Sequence, residues 1–244
     1  MKRLDEFKFF CVGYGDFNIS IVIEEFFSIL EKSELKLVPK KIGLAERKNI
    51  LFSVPNANGL WERSIKEMGF YTITFANELF NGSLDYSKNK LKISLWIRTK
   101  VILDLNNLEK FKKMARELFL WSNSIYGYAC HIGNLGGLPS GGLTYETCLG
   151  NISWMTLFGP PYVDMFGRNI IETVPCQVEE FAVDRFMLLT SDFPMEKNDA
   201  ILGVQANVMM HLGKDAFDRK DKRTAHISKE GYRSPDLSEY KIKR

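Results

Sequence analysis

Residues 91–103 constrain the fold more than any other stretch. The odd positions are Leu91, Ile93, Leu95, Ile97, Thr99, Val101 and Leu103. The even positions are Lys92, Ser94, Trp96, Arg98, Lys100 and Ile102. Neighbouring side chains on a strand point to opposite faces, so this alternation predicts one long strand with a single face on a core. A one-sided strand needs partners in an antiparallel sheet and a layer to cover its apolar face. Phe70–Phe75 is rich in aromatic and β-branched residues and is read as its partner, with Asn81-Gly82-Ser83 as the intervening turn.

Helical rhythm appears on both sides. Ile19, Val22, Ile23, Phe26, Phe27 and Leu30 follow the i, i+3, i+4 spacing, and Asn18 or Asp16 stands where a cap belongs. A short helix is read over 57–68, and a loose strand over Leu35–Leu44. Asp104 or Asn106 opens a helix to about Ser122, with Leu108, Phe111, Ala115, Leu118 and Phe119 on one face. Strands are read over Phe7–Val12, Tyr126–Ile132, Asn151–Phe158 and Val183–Thr190, and helices over Pro160–Phe166 and Ala200–Leu212. The fold class is α+β: an antiparallel sheet with helices packed mainly on one face. Residues 1–218 form one domain, or two similar lobes joined near 133–150. The joint is placed there because 133–142 holds five Gly and one Pro.

Charge separates the end of the chain from its body. The net charge is +3, yet residues 214–244 carry ten basic and six acidic side chains, leaving the body near −1. Residues 219–244 therefore read as a basic, polar, aperiodic tail. Mixed signs and sparse aromatics disfavour nucleic-acid binding through it. No apolar stretch is long enough to span a bilayer, and the acids at the N-terminus do not suit a secretory signal. The expected compartment is the cytoplasm. Cys11, Cys130, Cys148 and Cys176 are read as reduced thiols, with a Cys130–Cys148 bridge as the minor alternative.

Templates for chemistry fit poorly. The glycine-rich run lacks the Lys of a phosphate loop, and Gly13-Tyr14-Gly15 lacks the third glycine of a dinucleotide fingerprint. Ser140 lacks the glycine two residues earlier that a nucleophile elbow needs. No Cys-x-x-Cys or His-x-x-x-His spacing suggests a metal, so neither metal nor cofactor is expected. Glu24-Glu25 and Glu179-Glu180 are read as solvated surface pairs. The remaining catalytic alternative is a Cys/His site using His131 with Cys130 or Cys148 beside the glycine-rich loop. Cys130 and His131 would point to opposite faces of one strand.

The segment Ile152–Gly167 contains Trp154, Phe158, Gly159, Pro160, Tyr162 and Gly167. It resembles a motif of bacterial toxin-immunity proteins, including those associated with type VI secretion and polymorphic toxins. Lys92–Gly127, His211–Phe217 and Tyr232-Arg233-Ser234-Pro235 resemble other parts of the same group, so the likeness spans roughly 90–235. The resemblance implies a cytoplasmic, non-catalytic inhibitor that binds a cognate toxin protein. The motif residues themselves are read as structural, since aromatic side chains at this density form core. A toxin contact would then lie elsewhere on the surface.

Overall fold

The computed structural model describes residues 5–45, 47–132, 144–194, 199–217 and 231–240. The fold is α+β with antiparallel strand pairing. The chain divides into two compact units, residues 1–124 with 240–244, and residues 125–239. This division falls just before the glycine-rich run, which lies outside the described residues.

The first unit holds β1 (Glu6–Tyr14), α1 (Val22–Lys32), β2 (Lys41–Leu44), β3 (Arg47–Leu51) and α2 (Val54–Met68). It continues with β4 (Tyr71–Ala76), β5 (Phe80–Ser87), β6 (Lys90–Arg98), α3 (Thr99–Ile102) and α4 (Leu105–Trp121). Its strands lie in the order β3-β2-β4-β5-β6-β1, and each neighbouring pair is antiparallel. Leu91, Ile93, Leu95 and Ile97 are fully buried, while Lys92, Ser94 and Trp96 between them are half-buried.

The alternation stops earlier than the sequence predicts. After Arg98 the chain turns into α3, and the Thr99 amide donates to the Asp5 carbonyl at 3.0 Å. Val101 and Ile102 are adjacent and both buried. A two-residue period cannot place both on one face, whereas a helical turn can. The predicted pairing is also corrected. Asn81-Gly82-Ser83 lies inside β5, and β5 separates β4 from β6. The turn is one hairpin later, at Lys88 and Asn89, both with positive φ (49° and 61°). That is the handedness a two-residue hairpin loop requires.

The helices cover the face built by the odd positions of β6. Phe111 of α4 meets Phe7 and Phe9 edge-on, with ring centroids 5.5 and 6.1 Å apart. Phe26 and Phe27 of α1 meet Phe75 of β4 at 5.4 and 5.3 Å, and Trp61 of α2 stacks on Tyr71 at 5.4 Å. Helix starts follow their caps unevenly. Asp104 accepts from the Asn106 and Asn107 amides at 2.9 and 3.3 Å, and Ser53 accepts from Asn56 at 3.2 Å. The expected cap of α1 is displaced: Asn18 closes a turn over Ser20–Val22 and Ile21 occupies the cap position without a side-chain bond. Only Lys41–Leu44 of the predicted 35–44 strand is extended in a ladder; Leu35 and Leu37 are buried outside it.

The second unit holds β7 (Ser124–His131, which starts at the division), β8 (Met155–Phe158), α5 (Pro160–Phe166) and α6 (Arg168–Glu172). It ends with β9 (Gln177–Ala182), β10 (Arg185–Leu189) and α7 (Asp199–Leu212). Its strands lie in the order β7-β8-β10-β9, with antiparallel neighbours. Every residue of β7 and β8 is buried, which removes the alternation that marks a one-sided strand. A 3-10 turn, Lys214–Ala216, follows α7, and Phe217 bridges to Leu149.

Candidate functional site

The motif residues 154–167 build the interior of the second unit. Trp154 is buried and its indole N–H donates to the Ser191 carbonyl at 2.9 Å. Phe158 ends β8 and stacks on Tyr162 of α5 at 5.4 Å, with Phe166 at 5.2 Å. Tyr126 of β7 joins the same cluster, 5.5 Å from Tyr162. Gly159 ties strand to helix: its amide donates to the Ile125 carbonyl, and its carbonyl accepts from the Tyr162 and Val163 amides. Pro160 stands in the first turn, where a missing N–H costs no helical bond. Gly167 has φ 89°, ends α5 and opens α6. An L side chain is strained there, so the abrupt change of helix direction needs glycine. Tyr162 donates its hydroxyl proton to the Tyr145 carbonyl.

Three segments that are remote in sequence meet at Phe166. Arg233 lies over the Phe166 ring at 5.3 Å. Its guanidinium donates to the Leu212 carbonyl, the last of α7, and pairs with Asp215 at 3.3 Å. The Arg233 amide donates to the Asp215 carbonyl at 3.0 Å. A cation at a helix C-terminus also suits the helix dipole. Part of the basic, polar tail is therefore packed: Pro235 and Leu237 are buried. Residues 218–230 and 241–244 lie outside the described residues, as does the glycine-rich run with Ser140.

A second cluster lies immediately after Gly167. Arg168 reaches Glu180 through two bonds (2.7 and 2.8 Å), Asp184 at 2.8 Å and Glu172 at 3.4 Å, and it sits over Phe186 at 5.3 Å. The forked guanidinium suits this bidentate contact. The Arg168 pairing holds the Glu180 carboxyl below the usual range. Glu180 is exposed, as its position suggests, and is also tied to the α6 start. Glu25 likewise accepts from the Trp121 indole at 2.9 Å. The signal for Arg168 was in the sequence, as an Arg following a helix-ending glycine, but its partners on β9 and the hairpin lie 12 and 16 residues away.

The Cys/His alternative is placed as follows. Cys130, Cys148 and His131 are all buried, and the four cysteines are free thiols. Cys130 and His131 are consecutive on β7 and point to opposite faces. Burial pushes the Cys11 thiol up to about 12 and the Cys176 thiol up to about 11, away from a reactive thiolate. His211 is engaged at the end of α6, its Nε2 3.1 Å from both the Ile170 carbonyl and the Thr173 hydroxyl. Among the described residues no group of three or more His, Cys, Asp and Glu side chains is arranged to hold a metal ion. No described helix is long and apolar enough to cross a membrane.

The fold has a counterpart of known structure. The T6SS protein PA0821 of Pseudomonas aeruginosa superposes with a TM-score of 0.64. The match covers 95% of this chain and 78% of that one, at 10% identity. At that identity the likeness is one of fold. No family model matches the sequence, and no curated protein matches it.

Proposed function

We propose that this chain is a type VI secretion-associated immunity protein, which binds a cognate toxin and neutralises it by protein–protein contact without catalysis. The observation that carries the reading is the fold likeness to a T6SS protein over 95% of the chain. The convergence of the immunity-like segments supports it: 152–167, 211–217 and 232–235 meet around Phe166. On this reading the shared residues keep the fold, and the recognition surface is free to vary with the toxin. Cys130 and His131 point to opposite faces of one strand, which favours contact over a Cys130–His131 nucleophile pair.

The test is co-expression with the product of a neighbouring gene that encodes a toxin domain. The expected outcome is rescue of growth and a co-purifying complex with an interface above about 1,000 Å². A chain that neither binds nor protects would remove the reading.

A further inference from the structure

We infer that the outer face of α7, formed by Gly203, Ala206, Asn207 and Met210, is a docking surface for a second copy of this chain, packed antiparallel about a two-fold axis. The inference goes beyond the immunity reading and does not rest on it.

The face has the wrong composition for water. Ile201, Gln205, Val208 and Leu212 are buried and form the inner side of α7. Gly203, Ala206, Asn207 and Met210 follow the i, i+3, i+4, i+7 spacing on the opposite side, and all four are exposed. Met210 is 56% exposed, and Leu202 beside them is 39% exposed. Residues 200–212 contain no Asp, Glu, Lys or Arg. The other long helices differ. α1 exposes Glu24, Glu25 and Glu31, α2 exposes Glu62, Lys66 and Glu67, and α4 exposes Glu109 and Lys113. A helix that is apolar all round belongs to a setting enclosed on every side, and an apolar surface rimmed by none of its own charges marks a contact.

The same face is open. A Cβ placed on Gly203 has no heavy atom within 4 Å. The packing of the chain itself therefore does not call for glycine there, although glycine costs a helix interior about 1 kcal/mol relative to Ala. Gly59 of α2 is equally open, but Glu62 and Arg63 stand one turn on and give it a charged surround. Gly203 instead forms a notch among Leu202, Ala206 and Met210.

Shape and charge select the occupant. Gly203 and Met210 are equally far along the helix from the midpoint between Ala206 and Asn207. A two-fold axis at that midpoint brings Met210 of each copy over the Gly203 notch of the other and sets Ala206 beside Asn207 at the centre. One knob and one notch on each chain satisfy each other twice, as a self-complementary two-fold contact requires. The stripe carries no charged side chain, so the axis juxtaposes no like charges. Small residues at the centre let the helices approach closely, and the antiparallel arrangement opposes their dipoles favourably. A foreign partner needs a matching knob and notch of its own, whereas the second copy already has both. A helix of 14 residues is about 21 Å long, so the interface is small and the dimer is a micromolar, concentration-dependent one.

The experiment is sedimentation equilibrium on the full chain alone, from about 1 to 200 µM, with circular dichroism melts of each variant to verify folding. Wild type is expected to pass from monomer to dimer across that range. Gly203→Leu fills the notch at a place where nothing within the chain opposes a side chain, so it folds. Gly203→Leu and Met210→Glu are each expected to weaken dimerisation by about tenfold or more. Gly59→Leu is expected to leave it unchanged. Gly203→Glu and Met210→Lys are each expected to be monomeric alone and to form a dimer when mixed, because the antiparallel register sets the new carboxylate against the new ammonium. Wild type that stays monomeric at the highest concentration overturns this inference and leaves the immunity reading standing. A dimer equally stable in Gly203→Leu and Met210→Glu places self-association elsewhere and overturns this surface. A monomeric wild type whose binding to the neighbouring toxin-domain protein is lost in Met210→Glu assigns the face to a foreign protein and overturns the second copy as its occupant.

Discussion

Gly82 shows how one residue can contradict its own local signal. Asn-Gly-Ser is turn chemistry, yet the residue sits in the middle of β5 opposite Phe75. A Cβ placed on Gly82 would come within 2.5 Å of the Phe75 ring and 2.7 Å of the Ser94 carbonyl oxygen. The glycine is therefore required by close approach, with the cross-strand ring filling the space a side chain would take. Gly82→Ala should destabilise the protein by about 1–3 kcal/mol, read as a lower urea midpoint. Phe75→Leu in that background should recover part of the loss, because the ring clash goes and the carbonyl clash stays. Cys11 gives a second residue-scale expectation. Burial is the main cause of its elevation to about 12, against hydrogen bonds to Ser124 and Ser122 that lower it. Its ordinary value is 9.0. Below that value both folded and unfolded forms hold the proton. Between 9 and 12 the unfolded thiol ionises and the folded one does not, so this contribution to stability is lost as pH rises. Melting temperatures from pH 8 to 11 should fall less steeply in Cys11→Ala than in wild type, once each is referred to its own pH 8 value.

At the scale of elements, local signals succeeded where apolar periodicity, aromatic density or a cap marks the element and failed where the pattern has no clean period. α4 was legible because its apolar stripe and Asp104 cap agree. Asp104→Ala removes the bonds to the Asn106 and Asn107 amides and should cost about 1 kcal/mol by thermal melting; Asp104→Asn should retain most of the stability. β6 was legible for the same reason, up to the point where Val101 and Ile102 break the alternation. β9 was not anticipated, because its pattern of Gln177, Val178, Glu179, Glu180, Phe181 and Ala182 has no clean period. That strand is laddered to β10 and tied to the start of α6 by Arg168, a tertiary pairing that sequence spacing does not report. Arg168→Ala should therefore speed amide hydrogen exchange in β9 and the Asp184 hairpin while leaving α7 unchanged. Equal exchange in β9 of both proteins would show that the β9–β10 ladder alone holds the hairpin. The motif 154–167 was legible as core from its aromatics, but the meeting of Arg233 with Phe166 depends on 66 intervening positions of chain that no periodicity reports.

For the whole molecule, the charge division at residue 213 changes meaning once the chain is folded. The sequence separates a near-neutral body from a +4 end, which invites reading the end as an independent basic arm. Arg233 instead closes on Leu212, Asp215 and Phe166, and Leu237 is 4% exposed. Segment 231–240 is therefore part of the folded body in energetic terms, although its composition resembles a tail. A truncation before Gly231 should cost at least about 2 kcal/mol, the scale of burying one leucine side chain, before the Arg233 contacts are counted. Removing only 241–244 should cost less, because Arg233, Pro235 and Leu237 are kept. The comparison matters for function as well. A deletion of 219–244 that abolished binding to any partner would mix lost contacts with lost stability. Charge reversal at Lys241 and Lys243 leaves the Arg233 clamp in place and separates the two. If recognition lies on the folded body, that reversal should leave toxin binding unchanged. Weaker binding by the charge-reversed protein in a titration at fixed salt would move recognition to the C-terminal end.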